Sequence, residues 1–495
     1  MKKNKNYLNF IIGIISQLLL LVLGFIIPKI IMSSYGSDEN GLITMASQIF
    51  SYMALLETGI GQSARNSLYP YIKSNDKKNI SHILSISKKY YNKISIIYGF
   101  CVIILSTILP FIIKTNVSYI DVFLIIFLEG IAGVINFYLV QNLTTILIVD
   151  GKTFVNSIGE LASRFLFYII KIALALFKVR IAFIQIGFIV GIIVKTIVIK
   201  SYVKKRYSWI KYDKVNSNEK LKDRNSYILT EIASTIFSST DMILLSIFCS
   251  TSLASVYSIY NMIYSAITIL INAGYQAIIY LLSQTYFEDK EKYKKMHDLF
   301  NSIFLTIATS LISTAYILTI PFVKLYTANI NDINYIYNYF PILFSLIQLL
   351  SWSRYVSGNL SGISGYAKQT SYISIAEAIL NLILSIILVN LFGITGVLIG
   401  TLASLPLKVI YLNYIADIKV MKRTPFHTIK IISANFFVFL VIVFINSFFL
   451  KICINNYLSF ILYGFVLLLI IFLLTFTVNV FVNKDLLKIK KIIKE

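Results

Sequence analysis

The sequence has few of the side chains that most catalytic and metal sites require. It contains three cysteines and three histidines in 495 residues. Cys101, Cys249 and Cys453 lie far apart, in or beside apolar runs, where cysteine behaves as a small hydrophobic residue. A glycine-rich loop ending in Gly-Lys-Ser or Gly-Lys-Thr is missing, which excludes ATP hydrolysis by that route. We therefore predict no enzyme activity, no metal and no cofactor.

Charged residues are also scarce. They make up 14% of the chain, against about a quarter in an ordinary soluble domain. Hydrophobic residues make up 57%, and the mean hydropathy is +0.77. They occur in runs of about twenty, the length at which a helix crosses about 30 Å of hydrocarbon. The sequence therefore predicts an all-α polytopic membrane protein.

The apolar runs predict about fourteen transmembrane helices. They lie near residues 9–32, 41–62, 94–113, 119–148, 154–177, 181–199, 226–248, 254–282, 299–323, 336–358, 370–391, 394–415, 429–449 and 458–482. Lysines precede the first run, but no small-residue cleavage site follows it. We interpret this run as the first span and not as a removable signal peptide.

Acidic residues are half as frequent as basic ones, which gives a net charge of +23. The excess follows the predicted topology, because alternate loops carry most of the Lys and Arg. The other set of loops holds Lys114, Lys178, Arg180, Lys324 and Lys451. By the positive-inside rule, we expect the basic loops and both termini in the cytoplasm. The high Ile, Lys and Asn content suggests an AT-rich bacterial genome, so the expected location of the helices is a bacterial plasma membrane. Anionic membrane lipids are the expected partners of the basic, aromatic loop 200–225, and nucleic acid is not expected.

Twelve ionisable residues lie within the predicted spans. They are Lys29, Glu57, Glu129, Glu160, Arg164, Lys171, Lys195, Glu231, Asp241, Arg354, Glu377 and Lys408. Each would cost about 3 kcal/mol at the centre of the bilayer, so they are expected to face one another or a wet cavity. Lys29 and Lys408 lie near span ends, where a lysine can extend to the interface.

Two of these groups form stripes. Glu160, Arg164, Lys171 and Lys178 fall within about 40° of one helix face. The second stripe is Glu231, Ser234, Thr235, Ser238 and Asp241. A hydrophilic passage and a set of purely structural interhelical pairs both fit these patterns.

The candidate site residues are therefore of two kinds. The candidate substrate-pathway cations are Lys29, Arg164, Lys171, Lys195 and Arg354. The candidate ion-coupling or pairing acids are Glu57, Glu160, Glu231, Asp241 and Glu377. Arg354 is equally compatible with contact to phosphate and with packing or pairing to an acid of the seventh span.

A faint internal repeat relates the two halves of the chain. LLETGIGQ (55–62) and LINAGYQ (270–276) each precede a loop with Asp and Lys, and an offset near 215 aligns Gly59 with Gly274. Six spans separate the two segments, so the halves are predicted to insert in the same orientation. Repeats that flank a central site are frequent in transporters.

Several segments resemble a known family. PKIIMSSYGSDENGLITMASQIFSYMALLETGIGQSARNSLY (28–69) resembles the first helix pair of polysaccharide-unit flippases in the multidrug/oligosaccharidyl-lipid/polysaccharide exporter superfamily. STDMILLSIF (239–248), VYSIYNMI (256–263) and GYQAIIYLLSQTYFEDKEKYKK (274–295) resemble the seventh and eighth helices. The resemblance implies two six-helix lobes around a central cavity plus a terminal helix pair. The expected domains are residues 1–212, 213–425 and 426–495.

The same resemblance implies a function. Relatives carry undecaprenyl-pyrophosphate-linked oligosaccharide from the inner to the outer leaflet by alternating access, for surface polysaccharide assembly. The cations would meet the pyrophosphate, a groove beside residues 429–482 would hold the polyprenyl tail, and a polysaccharide polymerase and chain-length machinery would be partners. Ion-coupled small-molecule antiport and peptidoglycan-precursor flipping are the alternatives on this fold, although Lys29 stands where the drug antiporters typically place an acid. A membrane glycan polymerase is the alternative from another class.

Overall fold

Helices form all the regular structure in the part of the chain that is described. The computed structural model describes residues 2–212, 239–448 and 454–488, and within these ranges it leaves out the side chains of some helical residues, 54–60 among them. The chain divides into two compact units, residues 1–255 and 256–495. The boundary lies after Ser255, whereas the expected lobe boundary at 212/213 adjoins a segment outside the described residues.

The first unit contains the helices that correspond to the first seven predicted spans. Its helices are α1 (Lys2–Ser34), α2 (Ser37–Ser74), α3 (Lys77–Ile112), α4 (Tyr119–Ile135), α5 (Gln141–Val149), α6 (Thr153–Leu176), α7 (Ile186–Arg206) and α8 (Ser239–Phe248). A π-helical turn, Asn136–Val140, joins α4 to α5. A 3₁₀ turn, Ile181–Gln185, leads into α7.

The second unit begins within α9 and contains the other helices. They are α9 (Thr251–Glu288), α10 (Lys290–Tyr326), α11 (Phe340–Trp352), α12 (Tyr355–Ile363), α13 (Ala367–Phe392), α14 (Ile394–Tyr414), α15 (Phe426–Phe448) and α16 (Tyr457–Val482). A π-helical turn, Ile415–Val420, follows α14, and a 3₁₀ turn, Lys484–Lys488, follows α16.

These helices confirm the predicted fold class. Nine helices of the described residues are long and apolar enough to cross a membrane. Within the described residues, each of the fourteen predicted spans overlaps one or two of the helices above. The fourth corresponds to α4 and α5 together, the tenth to α11 and α12, and the seventh to α8, described from Ser239. The chain is therefore a multi-pass membrane protein. The central cavity expected between the lobes stays a prediction.

Local sequence signals explain where several helices begin. Asp76 caps α3 by accepting a hydrogen bond from the backbone N–H of Asn79 at 3.1 Å, and this bond holds the pKa of Asp76 below its ordinary value. Asp289 caps α10 by accepting from the N–H of Glu291 at 2.8 Å. Pro341 lies at the start of α11, where its missing N–H removes no helical hydrogen bond.

The helix lengths agree with the faint internal repeat. Helices α2 and α9 each have 38 residues. Each is followed by a long helix that an aspartate caps, Asp76 before α3 and Asp289 before α10. The segments around Gly59 and Gly274 therefore lie on matching helices in the chain order.

Two glycines bring α6 and α7 close together. A Cβ at Gly191 would lie 2.7 Å from the carbonyl oxygen of Ser163, and one at Gly187 would lie 2.9 Å from the ring of Phe167. Any larger side chain at these positions would push the helices apart. The close approach lets a side chain on α6 reach a partner on α7.

Candidate functional site: a charged cavity in the first unit

The charged stripe predicted on α6 opens onto a cavity. Glu160, Arg164 and Lys171 all line a space of about 490 Å³ inside the first unit. Helix α6 ends at Leu176, and Lys178 lies beyond its end with φ 51°, outside the cavity lining. Three of the four stripe residues are thus brought together, and the fourth leaves the face because the helix stops.

Helices on several sides contribute the remaining walls. The lining residues are Gly24, Ile27, Pro28, Ser47, Phe50, Tyr98, Glu129, Ala132, Gly133, Asn136, Glu160, Ser163, Arg164, Phe167, Tyr168, Lys171, Phe188, Ile192 and Lys195. They come from α1, α2, α3, α4, α6 and α7, together with the π-helical turn. Three cations and two acids lie among aromatic and aliphatic side chains, an arrangement that suits an amphiphilic ligand with a negative group.

Glu160 lies between two of the cations. Its carboxylate accepts from Arg164 Nε at 2.8 Å and from Lys195 Nζ at 2.6 Å. The Arg164 side chain keeps 48% of its surface exposed, so its guanidinium has donors to spare. One carboxylate therefore holds two cations in place and leaves a net positive charge on this wall.

Lys171 is placed differently from the other two cations. It is 5% exposed, and its Nζ lies 5.0 Å from the centre of the Phe167 ring. Among the described residues it makes no ion pair within 4 Å, although Glu129 attracts it electrostatically. A buried cation that makes no direct ion pair is costly, which makes Lys171 a candidate for contact with an anionic ligand.

Glu129 is a buried acid that the sequence placed in a span but did not put among the candidate site residues. It is 7% exposed and accepts from Ser47 Oγ at 2.7 Å and from Gln185 Nε2 at 3.1 Å. The amide of Gln185 comes from the 3₁₀ turn before α7. The one sequence signal for Glu129 was that an acid occurs within an apolar run. Helix α4 has no stripe of charged residues like the one that marked α6, so Glu129 was not selected.

The π-helical turn places an unsatisfied polar atom at the cavity. Asn136 begins this turn and lines the cavity, and its Oδ1 is buried with no hydrogen-bond partner. Single π turns within α-helices often occur at functional sites because they displace one side chain from the helical register. An orphaned acceptor in a buried position is expensive unless a ligand or water satisfies it.

The predicted residues on α1 and α8 lie outside this cavity. Lys29 is half-buried on α1, next to the lining residue Pro28. Asp241 is 8% exposed on α8, and the neighbouring hydroxyls of Ser239 and Thr240 bond to α2. Glu231 lies outside the described residues, as does the side chain of Glu57.

Arg354 and Glu377 form a separate buried pair in the second unit. Arg354 lies at the break between α11 and α12 and donates to Glu377 on α13, and both are nearly buried. Lys408 on α14 approaches the other oxygen of Glu377, at 3.7 Å. The acid that pairs with Arg354 thus comes from α13 and not from the seventh span. These groups have the geometry of a structural ion pair.

Solved structures of membrane transporters are similar to this chain in fold. A multidrug-resistance MATE family transporter of the MOP superfamily, inward-facing, aligns with a TM-score of 0.65 at 14% identity, over 81% of this chain and 95% of its own. The lipid II flippase MurJ, in an inward closed conformation, aligns with a TM-score of 0.65 at 16% identity, over 93% and 98%.

A third structure shows that pocket charge varies on this fold. A MOP superfamily transporter from Pyrococcus furiosus, described as having a binding pocket of reverse polarity, aligns with a TM-score of 0.54 at 12% identity, over 83% and 94%. No protein-family model matches the sequence, and no curated protein matches it significantly. The resemblance found in the sequence is confirmed at the level of the fold.

Proposed function

We propose that this protein is a flippase that moves an undecaprenyl-pyrophosphate-linked oligosaccharide from the inner to the outer leaflet. The observation that carries the proposal is the charged cavity of the first unit, in which Lys171 is buried without a close counter-charge. The fold shared with MATE transporters and with MurJ supports a transport role and not an enzymatic one.

The charges of the cavity favour an anionic cargo. Arg164, Lys171 and Lys195 outnumber Glu129 and Glu160, and both acids are already engaged by donors. Arginine and lysine are the side chains best suited to phosphate, arginine through its planar fork and lysine as a compact charge. A pyrophosphate would supply the direct ion pair that Lys171 does not make among the described residues.

Movement of such a cargo is favoured by the membrane potential. An inside-negative potential drives an uncompensated negative charge outward by about 2.3 kcal/mol per charge for each 100 mV. We further propose that the protein works by alternating access, the usual mode of transporters with repeats, in which the cavity opens to one side of the membrane at a time. In this proposal the polyprenyl tail remains in lipid beside the terminal helices, α15 and α16.

Two other functions remain candidates, and a specific observation supports each of them. Glu129 is a buried acid of the kind that binds a coupling ion or proton, and MATE transporters share the fold, so an ion-coupled small-molecule antiporter is the second candidate. A peptidoglycan-precursor flippase is favoured by the alignment with MurJ, which covers 93% of this chain.

The proposal is tested by replacing Lys171 in the purified protein. Lys171→Met, reconstituted in liposomes, should slow the transfer of a fluorescent polyprenyl-pyrophosphate oligosaccharide at least about tenfold, since one charge-assisted contact contributes about 1.5–3 kcal/mol. The readout is the fraction of label that an impermeant reductant can reach.

The matched control is Lys178→Gln, which removes a lysine of the same stripe that lies outside the cavity and is exposed. It should transfer the lipid at the wild-type rate. Equal rates for the wild type and Lys171→Met, at equal protein amounts, would refute the proposal. Dye efflux driven by a sodium or proton gradient, with no lipid transfer, would favour the antiporter.

A further inference from the structure

A second cationic cavity lies in the second unit, at the base of the terminal helix pair. It measures about 430 Å³. Its lining residues are Lys294, Lys295, Asp298, Arg423, Phe426, His427, Lys430, Ile431, Val482, Asn483, Lys484 and Asp485. They come from the first turns of α10, the start of α15 with the segment before it, and the turn after α16. These three segments contain basic clusters that the charge pattern predicts to be cytoplasmic.

Arg423 forms the fixed part of this cavity. Its guanidinium donates to both oxygens of Asp298, at 2.7 and 2.6 Å, and its Nε donates to Asp417 at 2.8 Å. Asp417 is fully buried in the π-helical turn after α14. Arg423 is therefore neutralised and ties the segment before α15 to α10.

Four lysines also line this cavity, and three of them are not neutralised by an acid. The exception is Lys294, which pairs with Glu291 at 2.6 Å. Lys295, Lys430 and Lys484 make no ion pair within 4 Å in the described ranges, and all three are exposed. Asp485 is the one lining acid outside the Arg423 network. The cavity thus presents a surplus of positive charge.

Apolar side chains flank the charged cavity. Phe426 and Ile429 on the first turns of α15 are 64% and 52% exposed, and Phe481 and Leu487 near the end of α16 are 81% and 71% exposed. A soluble anion would gain nothing from these side chains, whereas a lipid would place its acyl chains against them. Basic pockets beside transmembrane helices on the cytoplasmic side are suited to anionic head groups.

We propose that this cavity binds the phosphate head group of an anionic lipid of the inner leaflet, with the acyl chains lying along α15 and α16. Lys295, Lys430 and Lys484 hold the phosphate, and Arg423 ties the segment that leads into α15, which carries Lys430, to α10, which carries Lys295. This site lies apart from the charged cavity of the first unit, and it would stand whatever that cavity transports.

The experiment compares two triple variants. Lys295→Gln/Lys430→Gln/Lys484→Gln removes the three cavity lysines, and Lys78→Gln/Lys89→Gln/Lys93→Gln removes three exposed lysines from the first half of α3. Each protein is placed in phosphatidylcholine nanodiscs with spin-labelled phosphatidic acid. The immobilised lipid should bind at least about tenfold more weakly to the cavity variant, because each lysine near the surface contributes to anion binding, and near wild-type strength to the control.

Equal loss in both variants would show general surface attraction and overturn the proposal, as would undiminished binding to the cavity variant. Inorganic pyrophosphate, added to the wild type in detergent without phospholipid, should bind far more weakly. Equally tight binding there would assign the site to a soluble anion instead.

A second measurement needs no variant. Photoactivatable phosphatidic acid should label residues 426–431 or 482–488 of the wild type, and labelling confined to other segments would refute the assignment. Transfer of the polyprenyl lipid is measured separately, so each proposal fails on its own result.

Discussion

Ionised side chains are stabilised in different ways in the two units. In the second unit, Glu377 accepts a hydrogen bond from Arg354 and has Lys408 at 3.7 Å, and both Arg354 and Glu377 are buried. In the first unit, Glu160 is bound by two cations beside open space, and Lys171 has no ion pair within the described part of the chain. The first arrangement stabilises a fold, and the second leaves charge available to a ligand.

This difference separates two arginines that the sequence treated alike. Arg164→Gln should abolish transport of the lipid-linked cargo with the protein level unchanged, because Lys195 still pairs with Glu160. Arg354→Gln should lower the protein level, because it removes the hydrogen bond to a buried acid. Membrane protein abundance and transfer per molecule are the two measurements. Normal abundance of Arg354→Gln together with lost transport would place Arg354 on the substrate pathway instead.

The three-charge cluster also predicts an order of stabilities. Glu377→Gln should destabilise more than Arg354→Gln, by up to about 3–5 kcal/mol relative to the wild type, because it leaves the buried Arg354 and the half-buried Lys408 without their shared acid. Lys408 remains as a counter-charge in the second case. Thermal unfolding in detergent measures the order. A Glu377→Gln protein as stable as the wild type would contradict the pairing.

At the scale of the helices, breaks in regular structure place the polar groups. The π-helical turn between α4 and α5 carries Asn136 into the cavity, and the break between α11 and α12 carries Arg354 toward α13. Side-chain hydrogen bonds join the terminal helices α15 and α16 to each other and to α10. Asn435 and Asn479 exchange hydrogen bonds at 3.0 and 3.1 Å, and Thr309 of α10 donates to Asn435 at 3.1 Å.

The π-helical turn can be removed without changing a lining residue. Deletion of Tyr138, which is 56% exposed, should convert the turn to regular α-helix and leave α4 and α5 in their present register. We expect about a tenfold loss of transfer, because the displacement that carries Asn136 into the cavity would be lost. Tyr138→Ala, which keeps the chain length, is the control. Full activity of the deletion variant would show that the turn has no part in the site.

At the scale of the whole molecule, the charge distribution predicts the orientation in the membrane. A variant without native cysteines and with Lys178→Cys should react with an impermeant maleimide in intact cells, because the loop after α6 is predicted to be external. Lys204→Cys at the end of α7 should react only after the membrane is opened. Both residues are exposed, so access is decided by the side of the membrane. The opposite pattern would invert the predicted topology and remove the cytoplasmic assignment of the second cavity.

The sequence alone determined the class of the protein and the order of its helices. A run of about twenty apolar residues that enters the bilayer can satisfy its backbone hydrogen bonds only by forming a helix. The length and composition of the runs were therefore sufficient to predict transmembrane helices. The regular 3.6-residue period also placed Glu160, Arg164 and Lys171 on one face, since that relation is internal to a single helix.

Only the tertiary structure decided which charges meet. The contacts of Lys195 with Glu160, of Ser47 with Glu129 and of Arg354 with Glu377 join helices distant in sequence, and no periodicity within one helix encodes them. The π-helical turn at Asn136 was equally hidden, because one displaced residue leaves the apolar run unchanged. The sequence shows that an ionised side chain at bilayer depth requires a partner, because leaving it unpaired in hydrocarbon is costly. Only the packing of the helices determines whether that partner is another side chain or a ligand.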